Sequence, residues 1–315
     1  MPRKPTRVLA VGDAIVDIVS PPIPALPSGD AQAQVSAFSS LPGGNATNFA
    51  LQMASLGIRT HLVASVGKDP HADFLRRAYQ EHGVDAHLRV DPKRATGSTV
   101  ALTWLDGRRS LLTALGANAA LREADVPAGL LASATHVHRA GFWWATGLMG
   151  APTARILRRA QRAGVSTSLD ISTDPEGWPR PRVEAVRSCL PHVDTFFGNA
   201  VEICAVAGTR NPIRAAERIL EQGTKEVVLH QAGEGATWFR EGQLESAPAF
   251  RVPIDNPTGC GDVFNAGYLF AKLSGGMPDE ALGLGNACAA LHLQDRTVPY
   301  PDLRRLRRFL RVGRP

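Results

Sequence analysis

Asp255-Asn256-Pro257-Thr258-Gly259-Cys260-Gly261-Asp262-Val263-Phe264 sets two glycines around one small residue and follows them at once with an aspartate. An apolar run at helical spacing continues through residues 263–273, and residues 250–254 read as a strand leading in. Strand, tight glycine turn and helix together point free backbone N–H groups at an anion. For Asp262 alone, an N-terminal cap on a buried helix is the simpler account, because the helix field favours a carboxylate there. Beside an anion site, though, a carboxylate repels phosphate unless it has a task. The matching task is taking the proton of an attacking hydroxyl.

The rest of the composition bounds the answer. The chain has 315 residues, 44% hydrophobic and 20% charged, enough for one large α/β core with a small appendage. No run of 18 apolar residues occurs, so no membrane span is expected. The basic start, Met1 to Arg7, runs straight into an expected strand at 8–11 with no apolar secretory segment, which sets a cytoplasmic expectation. The formal charge of +6 is concentrated in late arginines: Arg304, Arg305, Arg307, Arg308, Arg311 and Arg314. Without aromatic interleaving or a reader motif, these read as a solvated terminal helix at 303–312 and not as a nucleic-acid surface. Cys189, Cys204, Cys260 and Cys288 match no metal or redox spacing and read as small buried residues, Cys260 as a size-limited filler of the turn.

Gly259-Cys260-Gly261-Asp262 resembles the C-terminal signature of the ribokinase-like (PfkB) carbohydrate kinases. Gly43-Gly44-Asn45-Ala46-Thr47-Asn48-Phe49-Ala50 resembles their N-terminal signature, and the two occur in the family's order. The resemblance extends over roughly residues 8–293. It implies a three-layer α/β sandwich around a mostly parallel sheet, with residues 1–315 as a single domain. It also implies a small β-sheet lid, inserted at about 18–40 and 97–115.

The residues themselves support this organisation. From residue 121 onward, strands and helices alternate as in a parallel sheet. Residues 31–38 alternate as a short strand, and residues 97–105 and 109–114 flank the hairpin signal Asp106-Gly107. Such a ribbon is marginal alone and needs partners. Asp13 and Asp17 fall just past the first strand, where two carboxylates suit a polyhydroxyl ligand. Gly43-Gly44 permits close backbone approach, and Asn45 is placed to cap the helix that runs to residue 56.

The resemblance adds roles. It implies substrate contacts for Asp17, Gly43, Gly44, Asn45 and Asn48, with Asp13 ranked lower. Asp262 becomes the general base, and the N–H groups of Gly259, Cys260 and Gly261 the anion hole. Asn199 and Glu202 would shape the Mg²⁺ and triphosphate region, although as residues they also read as a capping box. Asp170 matches a position near that region, and Gly116-Ala117-Asn118 a segment after the lid. His230, Gly233, Gly235 and Asn286 would line the nucleotide site, with Ala232 standing where the family often has glycine. His136 and His138, two apart on one strand, lack a third ligand and read as core or pocket residues. ATP and Mg²⁺ are the implied cofactors. A monovalent cation such as K⁺ is expected near Asp255 and Pro257, where Asn256-Pro257-Thr258 departs from the usual acidic form. A homodimer through the lid is the expected assembly.

The expected substrate is a sugar bearing a primary hydroxyl, ribose-, fructose- or ketogluconate-like. A nucleoside is the alternative, with Phe142, Trp143 or Trp144 to stack on a base. A phosphosugar would call on Arg109 and Arg139. A non-catalytic binder on the same fold is opposed by the intact Asp262 and glycine turn. A dinucleotide oxidoreductase is opposed by Val11-Gly12-Asp13-Ala14, which lacks the needed second and third glycines.

Overall fold

A computed structural model describes residues 5–26, 29–105 and 109–312. The turn signal Asp106-Gly107 lies outside the described residues. The chain opens with β1 (Arg7–Val11), β2 (Ile15–Ile23), β3 (Ser39–Gly43), α1 (Asn45–Ser55), β4 (Arg59–Val66), α2 (Pro70–Glu81), β5 (Val84–Val90), β6 (Gly97–Trp104) and β7 (Arg109–Ala114). It continues with α3 (Ala128–Ser133), β8 (His136–Arg139), α4 (Ala151–Arg162), β9 (Ser166–Asp170), α5 (Arg180–Arg187), β10 (Thr195–Asn199), α6 (Ala200–Ala207), α7 (Pro212–Glu221) and β11 (Glu226–His230). It closes with β12 (Ala236–Arg240), β13 (Gln243–Ala247), α8 (Cys260–Leu273), α9 (Pro278–Gln294) and α10 (Leu303–Val312).

Nine strands form one sheet in the order β13-β12-β11-β10-β9-β8-β1-β4-β5, and β3-β2-β6-β7 form a second, smaller sheet. In the large sheet β1 pairs in parallel with both β4 and β8, while β12 and β13 turn antiparallel at one edge. The period-2 alternation of β1 assigns its faces. Val8 and Ala10 pack into a core with residues of α1, α8 and α9, and Leu9 and Val11 into a second core with residues of α4, α6 and α7. Apolar side chains on both faces explain why the strands read as near-continuous hydrophobic runs. Helix starts follow local chemistry as well. Asp69 accepts from the Ala72 N–H at 3.0 Å just before Pro70 opens α2.

Three expectations are corrected. Residues 31–38 form no strand; their small side chains are mostly exposed, and the strand is β3, ordered by antiparallel pairing with β2 from Ile15↔Gly43 to Val19↔Ser39. The smaller sheet therefore starts at residue 15, before the expected 18, and β2 passes through Pro21-Pro22 at a register shift. Residues 250–254 form no strand either. The strand before the glycine turn is β13, held by its hairpin with β12.

Parallel strands place their carboxyl ends along one rim. Asp13 follows β1, Gly141 follows β8, and Asp170, Asn199 and His230 end β9, β10 and β11. Only residues 12–14 separate β1 from β2, so the small sheet rises directly from that rim.

Candidate active site

Gly259 adopts φ 81° and caps α8, so the turn is left-handed where a side chain is strained. A Cβ there would also stand 2.6 Å from Asn48 Nδ2. Asp262 lies in the first turn of α8 and is buried. Its Oδ1 accepts from Asn45 Nδ2 and its Oδ2 from Asn48 Nδ2, each at 3.0 Å. The two sequence signatures therefore meet at one carboxylate. Burial, with the nearby Asp170 charge, holds the Asp262 carboxyl well above its usual range, and the two amide bonds oppose this.

Asn45 is not the helix cap expected of it. Gly44 occupies that place, and Asp13 serves the N–H groups instead, accepting from Asn45 N at 3.1 Å and Ala46 N at 3.0 Å. Fully buried with both oxygens engaged, Asp13 braces α1. Arg139, also fully buried, places its positive charge near Asp13 and donates to the Ala140 carbonyl. It is thus part of the core and not a group that faces a ligand.

Asp17 lines a cavity of about 550 Å³ with Asn48, Trp104, Arg109, Thr258 and Tyr300. Burial pushes its carboxyl up to about 6, against the Thr99 hydroxyl bond. A side chain at Gly43 would set its Cβ 2.2 Å from Asp17 Oδ2, so glycine there makes room for the carboxylate. Arg109 reaches from β7 to the Thr258 hydroxyl and joins the small sheet to the glycine turn. Phe142 and Trp143 are buried in the core and do not line this cavity.

The second half of the rim carries acid groups. Asn199 and Glu202 form the reciprocal capping box of α6, and Glu202 also accepts from the Thr173 hydroxyl at 2.9 Å. Burial and then Asp170 push the Glu202 carboxyl up to about 7. Asp170 Oδ2 accepts from Asn265 Nδ2 at 2.6 Å, and Asn265 Oδ1 lies 2.9 Å from His230 Nε2. His230 stacks against Phe197 and meets Phe264 edge-on, so it underpins the turn at Gly261. Asn286 donates to the carbonyls of Ala247 and Pro248, tying α9 to the end of β13. Gly233 and Gly235 flank the short bend between β11 and β12. Cys260 is a half-buried thiol at the start of α8, pushed up to about 12 by desolvation and then by the Asp262 charge.

Asp255 does not offer a free carboxylate to a monovalent cation. Its carboxylate accepts from Arg296 N and Nε at 2.9 Å each, and its carbonyl from Arg296 Nη2. Behind it, the two ring nitrogens of His292 lie 2.6 Å from the Thr258 and Pro299 carbonyls. Burial pulls that ring toward its neutral form and the two carbonyls pull it back. His136 and His138 are core residues bonded to Ser166 and Ser168, with His136 pushed down to about 3 by burial.

Sequence reasoning missed three supports. Asn118 accepts from Ala14 N at 2.9 Å and donates back to the Ala14 carbonyl, clamping the β1–β2 junction. Tyr300 donates to Asn48 Oδ1 at 2.8 Å and so turns that amide's N–H₂ toward Asp262. Asn265 links Asp170 to His230. Asn118 alone had a signal, in the glycine-alanine-asparagine run.

Solved structures share the fold. A putative ribokinase II from E. coli superposes with a TM-score of 0.85 at 23% identity, covering 97% of this chain and 99% of the other. Ribokinase from Thermotoga maritima gives 0.81 at 22% identity, over 98% and 100%. Among curated sequences, a 2-dehydro-3-deoxygluconokinase from Thermoproteus tenax is 29% identical over 82% of this chain and 81% of its own length. An ATP-dependent ribose-1-phosphate kinase from Halopiger xanaduensis is 27% identical over 90% and 91%. Among the described residues no helix is long and apolar enough to cross a membrane. The pfkB family carbohydrate kinase profile matches residues 5–302, and with both signatures meeting at Asp262 the chain belongs to that family of sugar kinases.

Proposed function

We propose that this protein transfers the γ-phosphoryl group of ATP to the primary hydroxyl of a sugar, with Asp262 as general base. The observation that carries the reading is the Asp262 carboxylate, buried at the head of α8 and aimed by Asn45 and Asn48 beside a cavity that Asp17 lines. Asp17 accepts bonds from sugar hydroxyls and fixes which one faces Asp262. The attacking oxygen bonds to phosphorus, the bond to the ADP oxygen breaks, and the proton passes to Asp262. A carboxyl held above its usual range takes that proton readily. The N–H groups of Gly259, Cys260 and Gly261 face the charge of the transferring group. Glu202 and Asp170, a buried like-charge pair, would hold Mg²⁺ with Asn199, largely through water. When bound with ATP, Mg²⁺ neutralises triphosphate charge. The small sheet acts as the lid, and Arg109 is its latch to the turn at Thr258. Asp255 is occupied by Arg296, so no step is assigned to K⁺.

A free sugar is the first reading and a nucleoside the alternative: Phe142 and Trp143 are buried away from the cavity, while Trp104 lines it and is the ring a base would stack on. The relatives named for 2-dehydro-3-deoxygluconate and fructose support the class without selecting one member. Leu111 and Leu112 on the outer lid strand β7 are exposed and offer a contact for a second copy of the chain.

ADP release with Mg-ATP, measured across neutral and acidic sugars and nucleosides, tests the reading. Turnover on one sugar is expected, falling by roughly 10²–10⁴ in Asp262→Asn with ATP binding retained. Turnover confined to nucleosides overturns the substrate class. Undiminished turnover in Asp262→Asn overturns the mechanism.

A further inference from the structure

Far from the catalytic rim, β4 and β5 bring three metal-binding side chains to one point. The strands pair in parallel with His61 opposite Asp85, and His87 is two residues along β5 on the same face. His61 Nδ1 lies 3.1 Å from Asp85 Oδ2 and 3.3 Å from His87 Nε2, and His87 Nε2 lies 3.7 Å from Asp85 Oδ1. Asp85 meets His61 through Oδ2 and His87 through Oδ1, and with one ligand atom taken from each residue the three lie within 4.8 Å of one another. Ligand atoms about 2.0–2.1 Å from a tetrahedral Zn²⁺ stand about 3.3–3.4 Å apart, a spacing the two ring nitrogens already hold and the exposed Asp85 carboxylate reaches by rotating one oxygen inward.

We propose that His61, Asp85 and His87 form a site for a transition-metal dication of the Zn²⁺ class, with its fourth position open to solvent. Two imidazoles and one carboxylate are a donor set suited to Zn²⁺, Co²⁺ or Ni²⁺ and poorly suited to Mg²⁺. Hydrogen bonding alone accounts less well for the arrangement. His61 Nδ1 carries either one proton or one lone pair, yet it faces both a carboxylate and a second ring nitrogen. A single cation satisfies all three at once. His61 is buried, His87 half-buried and Asp85 exposed, so the fourth position opens away from the protein. Arg7 and Arg59 add positive charge near His61 and limit the affinity, while the Asp85 charge offsets part of it. Because β5 is an edge strand, the metal would pin it to β4.

The test is a Co²⁺ titration of the full chain followed by visible absorption, with Zn²⁺ competition and thermal melting in parallel. One equivalent should give the intense bands of a tetrahedral nitrogen–oxygen site without thiolate charge transfer, Zn²⁺ should displace it, and both metals should raise Tm. His87→Ala and, separately, Asp85→Asn alter exposed or half-exposed side chains and should abolish the bands and the Tm gain. Weak octahedral bands, thiolate charge transfer, or binding unchanged in both variants overturns the proposal.

Discussion

Asp17 sets stability against binding. Its carboxyl is raised from 3.8 to about 6 in the fold, so the folded state holds its proton more tightly than the unfolded state does. The sign follows by linkage: no penalty exists below the unfolded value, it grows as pH rises through about 6, and it is complete above that. Asp17→Asn should therefore raise stability at pH 7 by roughly 1–3 kcal/mol, the gain vanishing near pH 4, while weakening sugar binding. Urea melts at the two pH values, beside KM for the sugar, check this. An unchanged melt at pH 7 would mean that Asp17 is better solvated than its burial implies. Ala232 carries a different strain. It sits at φ 50°, in the left-handed region that favours glycine over a residue with a Cβ. Ala232→Gly should stabilise by about 1 kcal/mol in the same melts, since the relief of the Cβ clash exceeds the added chain entropy. Residue-level reading singled out Asp262 from its glycine turn, whereas Asn48 was singled out by the family resemblance, and their meeting is visible only in the fold. It misassigned Asn45 because an asparagine after two glycines looks like a cap, and only the fold reveals Asp13 arriving from β1 to do that work.

The elements legible in the sequence were those whose burial pattern is local. α10 was expected at its observed bounds, and β1 and α1 to within a residue. β3 and β13 were illegible because both are largely exposed and owe their form to a partner strand, not to alternation. β5 was passed over although Val84, Ala86, Leu88 and Val90 alternate with Asp85, His87 and Arg89, a period-2 signal that was legible in the sequence. The junction between the two sheets is a contact of elements too. Asn118 joins the segment after β7 to the bond between β1 and β2 through the Ala14 N–H and carbonyl. Asn118→Ala would leave these buried groups unpaired, at a cost of about 2–4 kcal/mol. Hydrogen exchange should quicken across β2 and β6 before it does in β1, and KM for the sugar should rise. Equal quickening in β1 would make Asn118 a general core residue instead.

At the scale of the molecule, exposed leucines on the small sheet bear on assembly. Leu112 is 69% exposed and Leu111 52%, on an edge strand whose backbone is open on one side. If two copies meet there, Leu112→Glu should convert a dimer to a monomer in sedimentation velocity with little change in thermal stability. A wild-type chain that sediments as a monomer at tens of micromolar would remove the dimer from the account.

The twin amide bonds to Asp262 join α1, near the start of the chain, to α8, near its end. During synthesis, then, a ribosome has released the sugar-side amides long before the carboxylate they aim exists. A nascent chain cannot phosphorylate anything until α8 has emerged and docked. The same geometry makes the protein a natural split reporter. Severed in the exposed loop before Pro212, each fragment holds one side of the Asn–Asp clasp, and phosphorylation would return only when fused partners bring the fragments together.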